Sequence, residues 1–379
     1  MQNNASIFRA NLQRTGFYSG EAPQSFTQIK WQKELDHPPI IYQNIIYGTR
    51  RNNLAAINSD TGQSIWNFTT EFNLSTLLAI HNNVVYVSEE IPETCRVYAL
   101  DYLSGNVLWQ QDINYFVDDD GEIEVYYHGN VYELFVVDDL LYLVSWFGGI
   151  CTMDLKSKII PQRASYTGYL HADVLFDKGV FYCASMQGNH YQGIAAIAPK
   201  FNLNQTANEP IPITPQATTL WHCQDLESPP VSCIIAEGKI YLLDSNYNFY
   251  IIDSITGQII NKMMSEIVDI EDHSHLTMAY YQGVCYWGKN EESLSYMYAM
   301  NVDKQKIIWS VKMPDFRIRG ISLAANLVYI YGSQGIWIVD MKKGKILQKF
   351  EIYKGVNCVV INQGIAYCTT YTGYLIALE

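Results

Sequence analysis

The sequence predicts an all-β fold: an eight-bladed β-propeller of four-stranded antiparallel blades, the last blade closed by a strand from the N-terminus. Three observations predict it. A tyrosine motif recurs eight times, a strand-and-turn segment follows most of the tyrosines, and a surplus strand at the beginning of the chain matches a deficit at its end.

The tyrosines are Tyr47, Tyr86, Tyr142, Tyr182, Tyr241, Tyr286, Tyr329 and Tyr367, each preceded by apolar residues and, before those, a polar turn. Their separations of 39, 56, 40, 59, 45, 43 and 38 residues bracket the length of one propeller blade, with insertions in the two long intervals. About ten residues downstream comes the second segment, as in Ala56-Ile57-Asn58-Ser59-Asp60-Thr61-Gly62 and Ala99-Leu100-Asp101-Tyr102-Leu103-Ser104-Gly105. Asn or Asp there binds turn amides, and Gly supplies the positive φ of the turn.

Four residues beyond the glycine position stands Trp66, Trp109 or Trp309, and Trp221 returns after a polar insertion in the fourth unit. An indole recurring at one place on an outer strand reads as a wedge against the neighbouring blade, because no blade can bury its own faces. Gln162, Asn261 and Gln348 occupy that place in units three, five and seven. After Tyr367 the chain supplies one more strand and stops at Glu379, so residues 26–35, with Trp31, are expected to complete blade eight. Residues 1–379 then form a single domain.

The pattern Ala-x-Asp-x-x-Thr-Gly-x-x-x-Trp, matched closely by residues 56–66 and 99–109 with Asn58 in place of Asp in the first and Ser104 in place of Thr in the second, resembles the tryptophan-docking repeat of the PQQ-like β-propellers. Phe8 to Gly16 is similar to the lead-in that often precedes the first such repeat. The resemblance covers essentially the whole chain and implies the fold more than any function, since the family includes quinoprotein dehydrogenases, the assembly lipoprotein BamB and propellers of no known activity. Many of its enzymes stack the quinone PQQ on a disulfide between adjacent cysteines. No two of the eight cysteines here are adjacent, which argues against PQQ, and no cofactor or metal is expected.

Composition narrows the partners. With 48% hydrophobic and 17% charged residues the chain can bury a large core, and its net charge of −13 opposes nucleic acid and anionic membranes. No apolar run is long enough to span a bilayer. Scattered cysteines and the absence of a basic, apolar leader point to buried thiols in the cytoplasm; a leader removed before residue 1 would place the same fold in the periplasm. The acidic run Asp118 to Glu122 lacks EF-hand register and reads as a solvated hairpin.

Propeller topology gathers the connection into each innermost strand, and the loop between second and third strands, on one face around the channel mouth. His171, Asp173, His275 and Glu133 are there the candidates for acid–base chemistry, because His171 with Asp173, and His273 with His275, share a side of a strand. His37, Arg50, Trp146, His190, Tyr191, His273 and Arg319 are the candidates for binding. The expected function is a non-enzymatic scaffold that recognises a protein or peptide on this face. The alternative is a PQQ-independent lyase, isomerase, cyclase or hydrolase using the His/Asp/Glu cluster, with a small-molecule ligand at the central channel.

Overall fold

The computed structural model describes residues 8–92, 94–114, 131–145, 149–157, 162–165, 174–185, 193–199, 217–264 and 277–379. Among these, eight sheets follow one another along the chain. Blades 1 to 4 begin with the innermost strands Ile40–Tyr42, Ala79–His81, Val131–Val137 and Leu175–Asp177, and blades 5 to 8 with Pro230–Ala236, Ala279–Tyr281, Ile318–Ala324 and Val356–Asn362. Blades 1 to 7 each add three antiparallel strands in sequence order. Blade 8 takes its outermost strand, Ile29–Glu34, from the N-terminus, antiparallel to Tyr374–Leu378, so the ring closes as expected.

Every signature tyrosine sits at the same rung. Tyr47 pairs with Ile40 and Ala56, and Ala56 pairs with Trp66. In blade 8 the equivalent rung is Val360, Tyr367, Ala377 and Trp31. The Asn or Asp of each turn does what its chemistry predicts: Asp101 Oδ1 accepts the N–H groups of Leu103 and Ser104, and Asp253 and Asp340 repeat the pattern.

The indoles dock as wedges on the next blade. Trp66 Nε1 donates to Tyr102 O at 3.0 Å, Trp221 to Ser254 O at 3.1 Å, Trp309 to Met341 O at 3.0 Å, and Trp31 to Ser59 O at 2.9 Å, each acceptor lying one residue past the turn Asn or Asp. The turn glycine has a second duty beyond its positive φ. A Cβ on Gly62 would lie 2.7 Å from the Trp31 ring, so the indole needs a bare backbone to lie on.

Blades without tryptophan fill the gap differently. Tyr142 of blade 3 packs on Phe176 and Phe181 of blade 4, with centroids at 5.7 and 5.2 Å, and Tyr241 of blade 5 stacks on Tyr280 of blade 6 at 5.4 Å. Tyr329 of blade 7 meets Phe26, from the N-terminal segment, at 6.1 Å. The core therefore lies between blades, in apolar clusters that each span neighbouring sheets.

Candidate functional site

Among its blade's own strands, the innermost has a neighbour on one side only, and its other edge faces the channel. Backbone groups left there need partners. Residues 12–16 supply them: Leu12 O accepts from Phe176 N, Gln13 O from Ile235 N, Thr15 O from Tyr280 N and Gly16 O from Leu323 N, at 2.8 to 3.1 Å. These four donors belong to blades 4, 5, 6 and 7 and occupy one register position, directly after the partner of the signature tyrosine. That position is near the end carrying the turns between first and second strands, opposite the expected mouth.

Local chemistry shapes the segment for this path. Asn11 Oδ1 accepts from Thr15 N at 3.0 Å and Asn11 Nδ2 donates to Thr15 Oγ1 at 2.7 Å, which tightens the bend. Gly16, at φ +68°, passes so close to blade 6 that a Cβ would stand 3.3 Å from that of Ala279. Phe17 and Tyr18 then run parallel to Leu323 and Ala324, and the chain leaves between blades 7 and 8 to become the outermost strand of blade 8.

Two arginines of this segment enter the channel. Arg14, fully buried, forms an ion pair with Glu133 of blade 3, itself 3% exposed. Arg9, also buried, donates to Met278 O of blade 6. Around Arg9, burial raises the hydroxyl pKa of Tyr18 well above its ordinary value and pushes the Cys358 thiol up to about 12, the guanidinium opposing both shifts. Glu133, one of the four acid–base candidates, is thus held by a cation inside the ring.

On the opposite face the structure gathers three of the binding candidates. Arg319, at the start of the innermost strand of blade 7, lies over the ring of Tyr371, 5.7 Å from its centroid. Tyr371 opens the hairpin that reaches Gly373, and a Cβ there would be 3.8 Å from Arg50 Nη2. Arg50 pairs with Glu34 and, through Nε at 3.8 Å, with Asp36, whose other oxygen is 3.7 Å from His37 Nε2. Burial lowers the His37 pKa and Asp36 raises it back in part, leaving it below the ordinary value. Blades 7, 8 and 1 therefore present a continuous ledge of charge and aromatic surface. Exposed Tyr353 and Lys354 belong to it and were legible only as polar and aromatic residues in a connection between blades.

His171, Asp173, His273, His275, Trp146, His190 and Tyr191 lie outside the described residues, as does the acidic run 118–122. Among the described residues, no three His, Cys, Asp or Glu side chains gather closely enough to hold a metal ion. Seven of the eight cysteines are buried, and Cys151 is half-buried. Burial pushes the thiols of Cys95 and Cys183 up to about 12. No helix of the described residues is long and apolar enough to cross a membrane.

A family model described as outer membrane protein assembly factor BamB matches residues 50–350. The chain belongs to this family of PQQ-like propellers. Solved structures similar to this propeller include the quinohemoprotein alcohol dehydrogenase of Comamonas testosteroni (14% identity, 98% of this chain and 80% of that one, TM-score 0.73). BamB of Moraxella catarrhalis is similar over 94% of this chain and all of its own, at 11% identity and TM-score 0.63. A europium-containing methanol dehydrogenase is similar over 96% and 88%, at 12% identity and TM-score 0.63. At such identities the likeness is one of fold. No curated protein matches the sequence.

Proposed function

We propose that this PQQ-like propeller is a non-enzymatic scaffold that binds a protein or peptide partner on the face carrying Arg319, Tyr371, Arg50 and His37. The single observation that carries the reading is the seat of residues 12–16 across the inner edges of four blades. That segment obstructs the channel at the turn face, so the opposite face, with its longer connections, is the one left to work. Membership in a family described as an assembly factor supports a protein partner. The ledge itself mixes aromatic rings with charge of both signs, the composition of a recognition surface.

Two observations support a reading without PQQ. The adjacent-cysteine platform is missing from the sequence, and the channel carboxylate, Glu133, is already matched by Arg14. The scaffold is therefore proposed to work without PQQ.

Photo-crosslinking residues placed at Arg51, Arg319 and Tyr353 test the face, with Asp60, Ser104 and Lys343 on the turn face as controls. Adducts to one protein from the first set and not the second are the expected result. Equal labelling from both sets would overturn it, as would robust dye reduction on adding PQQ, calcium and an alcohol.

A further inference from the structure

A groove of about 480 Å³ opens between blades 1 and 2, at the outer margin of the same face. Its size falls within the range of pockets that hold small ligands or single side chains. Phe68, Phe72 and Tyr98 form its aromatic walls, and Glu71, Glu89 and Arg96 are its charged groups. Phe68 meets Tyr98 edge to face, with centroids 5.0 Å apart.

Glu89 is fixed at the base, 2% exposed. Its Oε1 accepts from the backbone N–H of Glu71 at 3.0 Å and of Phe72 at 2.9 Å, and its Oε2 accepts from Tyr98 Oη at 2.7 Å. A carboxylate has about four acceptor sites, so one on Oε2 remains open. Asp244, the counterpart three residues beyond the tyrosine of blade 5, shows the contrast. Its own hairpin covers it with four donors, from Asn246 N, Asn248 N, Asn248 Nδ2 and Tyr250 Oη.

The charge around the groove is unbalanced toward the negative. Arg96 is the one cation lining it among the described residues; two bonds tie it to Asp112, Nε to Oδ1 at 2.5 Å and Nη2 to Oδ2 at 3.0 Å, and its remaining contact is with the Tyr98 hydroxyl rather than with Glu89 itself. A carboxylate held rigidly beneath aromatic walls is complementary to a cation, through charge-assisted hydrogen bonding below and ring faces at the sides. We propose that this groove captures the cationic side chain, a guanidinium or ammonium, of a partner peptide lying on the face. The inference rests on the protein-binding reading and names the chemistry of the partner: basic, as suits a chain of net charge −13.

Calorimetric titration with N-acetyl-arginine amide tests the groove, with the citrulline analogue as its uncharged isostere. One-site binding of the arginine probe is expected, at least about tenfold tighter than the citrulline probe. Glu89→Gln keeps acceptors for the two amides while removing the charge, and should weaken the arginine probe by about tenfold or more with an unchanged melting curve. Glu71→Gln, at an exposed side chain, and Phe72→Ala provide further arms should Glu89→Gln unfold, and each should weaken the probe. Equal affinity for both probes, no heat with the arginine probe, or unchanged binding in all three variants would overturn the proposal. Because the titration needs no partner, its failure is separate from failure of the crosslinking, which reads the face as a whole.

Discussion

The side-chain amide of Gln348 clasps the backbone of Phe26: Phe26 N donates to Oε1 at 2.7 Å and Phe26 O accepts from Nε2 at 2.8 Å. Gln348 stands where other blades carry the docking tryptophan, and Phe26, 3% exposed, places its ring between Tyr329 and Phe350. The N-terminal segment passes through the space an indole would fill. Tyr329 confirms the exchange, since its hydroxyl donates to Pro23 O at 2.6 Å.

Phe26→Ala should therefore cost about 3 to 5 kcal/mol, the usual range for emptying a buried aromatic site. Gln348→Trp should also destabilise, because the indole would compete with Phe26 for one space. Denaturant midpoints of both variants against the parent check this.

Ring closure rests on Trp31 and Gly62. Trp31→Ala should cost about 3 kcal/mol, at the lower end for a large aromatic because the indole is half-buried. Gly62→Ala should cost about 1 to 3 kcal/mol, since it forces a side chain into positive φ and against that indole. Deleting residues 1–35 should be worse than either, exposing the edge of Tyr374–Leu378 to other chains; light scattering would report the aggregation.

Much of this was legible in the sequence. Eight tyrosines, turn acids and tryptophans repeat because each blade solves the same packing problem, so rungs such as Tyr47, Ala56 and Trp66 stand at fixed spacing. The missing last strand and the spare Trp31 followed by counting. The path of residues 8–18 was not legible. Its bonds join backbone to backbone across long separations, and such bonds leave no periodicity in side chains. Arg14 and Glu133 are 119 residues apart, and nothing local in either marks a partner. At the face, His37, Arg50 and Arg319 were found because topology alone sends connections there, whereas nothing in the sequence around Glu89 marks the three donors that fix it.

The Arg14–Glu133 pair makes its own prediction. Removing either partner alone, by Arg14→Met or Glu133→Leu, leaves an uncompensated buried charge and should cost about 3 to 5 kcal/mol. The double variant should recover part of that loss. A double-mutant cycle by urea denaturation measures the coupling, and strictly additive losses would deny the pair.

Thiol chemistry gives a prediction with a sign in pH. At about pH 8 a thiol reagent should label at most the half-buried Cys151 in the native protein and all eight cysteines after unfolding. Cys95, Cys183 and Cys358 hold their protons to about 12 when folded, against about 8.5 unfolded. The folded state thus binds more protons in this interval, and stability falls as pH rises above about 8.5. Denaturation midpoints should drop between about pH 8 and pH 10 and hold steadier in a triple Cys→Ala variant.

The central claim is that the N-terminal segment seals the turn end of the channel and leaves one working face. Hydrogen exchange on the intact protein and on a chain lacking residues 1–16 tests it most directly. The account predicts that peptides containing Phe176, Ile235, Tyr280 and Leu323 lose amide protection in the shortened chain, while Tyr374–Leu378, still paired with Ile29–Glu34, keeps its own. Unchanged exchange at those four amides would contradict the seal and, with it, the choice of the working face.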